Sequence, residues 1–213
     1  MTLKKLMDNF NKHFRDNFWI YLITILFLST GAILGIYSVK YMSDSDKNSL
    51  INYITSLSKS TTLESIDNKA IFLEAIKSNL PIIIGYWFLG LTIVGIPVIL
   101  ILSVFKGFSI GFTISFFIHS LKDKGLILAV LGVLPQNIIY IPCIILASVL
   151  SIQFSFSMLR DKVNKNYKGC NENSIVNYTL CFIVFIIVML IGFLLEAFIT
   201  PNLIRFALKT VGV

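Results

Sequence analysis

Residues 80–120 read LPIIIGYWFLGLTIVGIPVILILSVFKGFSIGFTISFFIHS, about forty residues with a single formal charge, Lys106, punctuated by Gly85, Gly90, Gly95, Pro97, Gly107 and Gly111. Two bilayer crossings folded into a hairpin account for that length and chemistry. Spanning roughly 30 Å of hydrocarbon at 1.5 Å per residue takes about 20 residues, whereas a soluble core helix rarely needs more than about 14 consecutive apolar ones. Glycine and proline at this density are also better tolerated in membrane helices, where neighbouring helices re-satisfy the freed backbone groups.

The rest of the chain agrees. Of its 213 residues 56% are hydrophobic and 14% charged, with a mean hydropathy of +0.83; in soluble domains roughly a quarter of residues are charged. Most of the chain therefore belongs in lipid. That leaves room for one membrane domain over residues 1–213 with short loops, and none for a separate soluble catalytic domain. Cys143, Cys170 and Cys181 are odd in number and lack CxxC spacing, so they read as small buried residues or free thiols.

The net charge of +7 is placed as a membrane protein places it. Lys4, Lys5, Lys12 and Arg15 precede the first apolar run, Arg160, Lys162, Lys165 and Lys168 follow another, and residues 40–79 balance five lysines against five acids. Basic clusters beside membrane spans mark cytoplasmic ends. No basic and aromatic surface is left over for nucleic acid.

Residues 1–18, with Leu3, Leu6, Met7, Phe10 and Phe14 at helical spacing, form a cytoplasmic amphipathic segment suited to the inner leaflet. The first crossing follows at Trp19–Val39. It is too long for a signal h-region and has no A-x-A cleavage site after it, so it is expected to remain as an anchor. Its Gly31-Ala32-Ile33-Leu34-Gly35 is a GxxxG, expected to admit another helix of the same chain. Residues 40–79 are an extracytoplasmic helical loop: Leu50, Ile51, Ile54 and Leu57 make one face, Ile71, Phe72, Ala75, Ile76 and Leu80 another, and Ser43 with Asp46 forms a helix cap.

The hairpin at 80–120 can turn in two places. A turn near Gly95 and Pro97 gives helices over 80–95 and 98–120 and leaves Lys106 near mid-membrane, at a cost of several kcal/mol. A turn at Lys106-Gly107 brings the lysine to the interface; cost favours it. Residues 122–124 mark an outer turn. The charge-free run 125–159 is too long for one straight crossing, and Pro135-Gln136-Asn137 divides it into a re-entrant piece at 125–134 and a crossing at 136–158. A last crossing, Tyr178–Ala197, carries Glu196 and leads through Thr200-Pro201 to an outer interfacial tail at 202–213. The fold class is thus all-α: a polytopic integral membrane protein with five transmembrane helices, a re-entrant segment and interfacial amphipathic helices.

Catalytic chemistry is hard to place. Gly107-Phe108-Ser109-Ile110-Gly111 matches GxSxG, a motif that works on a sharp strand-to-helix turn beside a histidine base. No strand precedes it, and His119 lies ten residues along the same helix, about 15 Å by rise, too far to take the serine proton. The glycines read as a helix-packing surface. There is no HExxH, no aspartate pair within a crossing and no GxxxxGK[ST], so no metal, cofactor or catalytic residue is assigned. Lys106, Gln136, Asn137 and Glu196 are the polar groups in or near the membrane, able to line a solute path, cross-link helices or hold a partner's segment. This topology sets Lys106 and Glu196 at opposite faces, so no pair between them is expected.

Several separated motifs resemble one family. They are Trp87-Phe88-Leu89-Gly90-Leu91-Thr92-Ile93-Val94-Gly95-Ile96-Pro97, Lys106-Gly107-Phe108-Ser109-Ile110-Gly111-Phe112, Leu134-Pro135-Gln136-Asn137, and Glu196-Ala197-Phe198-Ile199-Thr200-Pro201, with Asn17-Phe18-Trp19 entering the first crossing. In this order they resemble the stage II sporulation protein M family of endospore-forming bacteria. The resemblance implies a role in engulfment of the forespore, in the cell membrane on the mother-cell side of the septum and in the engulfing membrane. It also implies, as partners, the peptidoglycan-degrading stage II sporulation proteins D and P, which the family is thought to hold as a scaffold. The family has members outside spore formers. The expected function is a non-enzymatic membrane scaffold, bound to membrane lipid and able to form a homo-oligomer; the alternative is a small-solute transporter or channel using the polar groups at the broken helices.

Overall fold

The computed structural model describes residues 12–50, 52, 68–121, 123–163 and 172–203. Five long helices carry them: α1 (Phe18–Lys40), α2 (Asn68–Gly90), α3 (Gly95–Leu121), α4 (Asp123–Val163) and α5 (Glu172–Leu194). A π-helical turn, Leu195–Ile199, extends α5, and helical backbone continues through residues 200–203. All five are long and apolar enough to cross a membrane, and no strand occurs among the described residues. The protein is an all-α, multi-pass membrane protein.

Lipid-facing side chains dominate the outside. Leu26, Leu34, Phe88, Phe105, Ile138, Val184 and Ile187 are all more than half exposed, a surface that water would not tolerate and hydrocarbon does. The helix at the centre is α4. Half of its apolar window is buried, against 22–28% for the others, and it packs on α1, α2, α3 and α5. The core around it comprises Ile83 and Tyr86 of α2, Ile99 of α3, Tyr140, Ile144 and Ala147 of α4, and Tyr178, Met189 and Phe193 of α5.

Helices consecutive in sequence run antiparallel, while α1 and α3 run parallel, and side-chain bonds show which ends lie together. His13 Nε2 lies 3.0 Å from Gln153 Oε1, and Ser155 Oγ donates to the Thr92 carbonyl at 2.7 Å. The start of α1, the α2–α3 turn and the late turns of α4 thus share one end of the bundle.

The hairpin turns at Leu91–Val94, between α2 and α3. This corrects the expectation of a turn at Lys106-Gly107: Lys106 sits within α3, and Gly107 and Gly111 lie inside a helix. The reason is packing. Gly107 and Gly111 meet the backbone of α1 at Leu28 and Ala32, while Gly31 and Gly35 meet the backbone of α3 at Val104 and Phe108, leaving no room for a Cβ at any of the four. Two GxxxG motifs interlock, so this helix has a partner along its whole small-residue face.

A second correction concerns residues 125–158. No break separates 125–134 from 136–158; both belong to α4, whose 41 residues span about 60 Å and reach past the hydrocarbon even when tilted. Pro135 removes a backbone donor, yet the turn around it is held by side chains. Gln136 Nε2 donates to the Gly132 carbonyl at 2.6 Å and Asn137 Nδ2 to the Val133 carbonyl at 2.7 Å. The amides that looked like a breaker signal lie inside the continuous helix and bond back to its own carbonyls one turn earlier.

The last part of the loop expected at 40–79 forms the first turns of α2. Residues 68–79 run unbroken into α2, and their apolar face, Phe72, Ala75 and Ile76, packs on the core. The cap is present: Ser43 Oγ donates to Asp46 Oδ2 at 2.6 Å and accepts from the Asp46 N–H at 3.2 Å. Ile51, Ile54 and Leu57, most of the amphipathic segment at 1–18, Cys170, and all but Asn202 and Leu203 of the 202–213 tail lie outside the described residues.

Candidate functional site

Two constructions use the singled-out residues, and the first is structural. Near the α2–α3 turn, helix-end carbonyls need donors from elsewhere. Ser151 Oγ donates to the Tyr86 carbonyl at 2.8 Å, Tyr178 O–H to the Trp87 carbonyl at 3.0 Å, and Trp87 Nε1–H to Thr179 Oγ1 at 3.2 Å. Gly90 lets this happen, because a Cβ there would strike the Tyr178 hydroxyl and Ser151; at Gly95 it would strike the Leu89 carbonyl. Pro97 stands in the first turn of α3, where a missing N–H costs nothing.

The second construction is a polar pocket of about 310 Å³ between α2, α3, α4 and α5. Lys106, Gln136, Asn137 and Glu196, scattered over ninety residues of sequence, all line it. Lys106 and Glu196 share this pocket, which corrects the expectation that they sit at opposite faces. That expectation followed from the misplaced hairpin turn.

Lys106 is only 9% exposed. Its ammonium donates to Asn79 Oδ1 at 2.5 Å and stands 5.5 Å from the centroid of the Tyr140 ring. Asn79 is held in turn by its Nδ2–H donating to the Ala75 carbonyl at 2.9 Å. Tyr140 serves both charges: its ring faces the ammonium and its O–H donates to Glu196 Oε2 at 2.7 Å. A face-on ring and a neutral acceptor together offset part of the several kcal/mol that a buried ammonium costs.

Glu196 reaches the pocket from the π turn of α5. The Thr200 N–H bonds to the Leu195 carbonyl, five residues back, and Thr200 Oγ1 donates to Gln136 Oε1 at 3.2 Å. Pro201 follows directly. Its ring crowds the carbonyl four residues earlier and it lacks an N–H, so a widened turn before it relieves the clash and re-aims Glu196. Gly192 allows the same approach, since a Cβ there would meet the Tyr140 ring.

Sequence reasoning missed Asn79 and Tyr140. Tyr140 lies in an apolar run and reads as core, and Asn79 sits at the polar edge of a helix and reads as interface. The signal that could have found them is demand: a lone lysine and a lone glutamate inside membrane helices each need a partner. Ser109 is exposed at the pocket rim, its carbonyl accepting from Thr113 Oγ1 at 2.8 Å. The glycines beside it are engaged by α1, and the segment is helical throughout, so the GxSxG forms no nucleophile elbow.

The chain is similar, at 24% identity over 187 residues covering 88% of this chain and 97% of the relative, to an uncharacterized protein of Methanocaldococcus jannaschii. No solved structure matches. The family described as Stage II sporulation protein M matches residues 23–201, a stretch that takes in nearly all of α1, the whole of α2, α3 and α4, the turn clamp and the pocket as far as Glu196 and Pro201. This membrane protein belongs to the stage II sporulation protein M family.

Proposed function

We propose that the protein is a non-enzymatic membrane scaffold that holds peptidoglycan-degrading hydrolases, the stage II sporulation proteins D and P, at the septum during engulfment. The family match across residues 23–201 carries this reading, and the use of the small-residue motifs supports it. The glycines of the one catalytic-looking signature are engaged in holding α1 against α3. A rigid bundle with a lipid-facing surface on every helix suits a platform that gathers partners.

The N-terminus faces the cytoplasm in this reading. Lys12, Arg15 and Arg160 lie at the end of the bundle that holds the α2–α3 turn, and basic residues favour the inner side. The opposite end, with Lys40, Asn68 and Leu121, then faces the wall that the hydrolases cut. Affinity purification of the tagged chain from detergent-solubilised membranes of sporulating cells tests the assignment. Both hydrolases are expected in the eluate; their absence, with the chain itself recovered intact, counts against it.

One observation favours a second reading, a small-solute transporter or channel: the polar pocket with its opposed charges. Under that reading Glu196→Gln and Asn137→Leu abolish solute flux in proteoliposomes while the hydrolases still co-purify. Unchanged flux in both variants rules it out.

A further inference from the structure

The pocket holds an ammonium, Lys106, and a carboxylate, Glu196, that form no ion pair with each other within 4.0 Å. Each charge is half-served. Lys106 Nζ has three N–H groups, of which one goes to Asn79 Oδ1, and Glu196 accepts through Oε2 from Tyr140. A third polar group beside them is left unserved inside the packing. Asn137 is 7% exposed, and its Oδ1 is buried with no hydrogen-bond partner, because its amide nitrogen is committed to the Val133 carbonyl. An acceptor left so costs about 1–3 kcal/mol.

These groups together select a ligand. An anion alone would bind Lys106 and be repelled by Glu196, and a cation alone would meet the reverse. A molecule carrying both signs complements both walls. A volume of about 310 Å³ lies at the small end of ligand sites, which run from about 300 to 1,000 Å³. Ser78 and Ser109 are exposed at the rim and give the site a polar mouth.

We propose that this pocket binds a small zwitterion, its anionic group on Lys106 and its ammonium on Glu196. Such a group is found in a free amino acid and in the head of phosphatidylethanolamine. The inference rests on the pocket alone and requires neither the scaffold reading nor solute flux.

The test uses the full chain in nanodiscs of phosphatidylglycerol, titrated calorimetrically with L-alanine, acetate and ethylammonium. In a second set containing phosphatidylethanolamine, native mass spectrometry counts the lipid that stays bound. Alanine binding at least tenfold tighter than acetate or ethylammonium supports the site with a free ligand. Selective retention of phosphatidylethanolamine without alanine binding supports it with a lipid headgroup. No binding of either, or single-charge probes matching alanine, overturns it. Glu196→Gln is expected to weaken the zwitterion at least tenfold, and equal binding by that variant with an unchanged melting temperature also overturns it. The comparisons on the unaltered chain stand even if the variant fails to fold.

Discussion

A lysine at the middle of a membrane helix is the costliest residue in this chain, and its neighbours explain how it is kept. Asn79 Oδ1 and the Tyr140 ring together take the place of water around Lys106 Nζ. Replacing Asn79 with Leu leaves the ammonium buried with one fewer acceptor, and hydrogen bonds to charged groups are worth about 1.5–3 kcal/mol. Asn79→Leu is expected to destabilise the protein by about 2 kcal/mol in a micelle unfolding titration. Adding Lys106→Met to it should recover most of that loss, since removing both partners of a buried pair is close to neutral; a double variant less stable than the single one would contradict this. Tyr140→Phe keeps the ring and removes the donor to Glu196, so it should cost about 1–3 kcal/mol by the same titration. The four charged and amide groups were legible one at a time in the sequence. Their convergence was not, because it depends on where the hairpin turns and on α4 running unbroken.

Between elements, the tightest join is α1 against α3, where glycines at 31, 35, 107 and 111 let two backbones touch. Gly107→Leu must push the helices apart, and overpacking of this kind costs about 1–3 kcal/mol or more. Gly85 is a fair control. A Cβ there would meet only Leu102 Cδ1, at 3.5 Å, so Gly85→Ala should be neutral or stabilising by up to about 1 kcal/mol on helix propensity. Thermal unfolding in detergent checks both, and a Gly107→Leu chain as stable as Gly85→Ala would refute the interlock. The GxxxG on α1 and the glycines of GxSxG were readable as packing surfaces, but not as each other's partner, since spacing alone names no counterpart. The expected break at Pro135 failed for a related reason. Proline in water is a strong breaker, while here the helix continues through it, with the Gln136 and Asn137 side chains bonded to the Gly132 and Val133 carbonyls.

For the whole molecule, five crossings place residues 12–17 and the α2–α3 turn at one end and Tyr41 at the other, a count that hydropathy and the placing of basic residues together made legible. The proposed sidedness rests on the placing of basic residues. In a chain freed of its native cysteines, Tyr41→Cys should react with a membrane-impermeant maleimide in intact cells, and Phe14→Cys only after permeabilisation. The reverse pattern would invert the bundle and move the end proposed to face the hydrolases to the cytoplasm. The scaffold role itself is tested most directly by imaging fluorescent fusions of the two hydrolases in sporulating cells that lack this protein. Their dispersal from the septum, restored when the chain is supplied again, is the expected result. Hydrolases that gather at the septum without it would contradict the scaffold role.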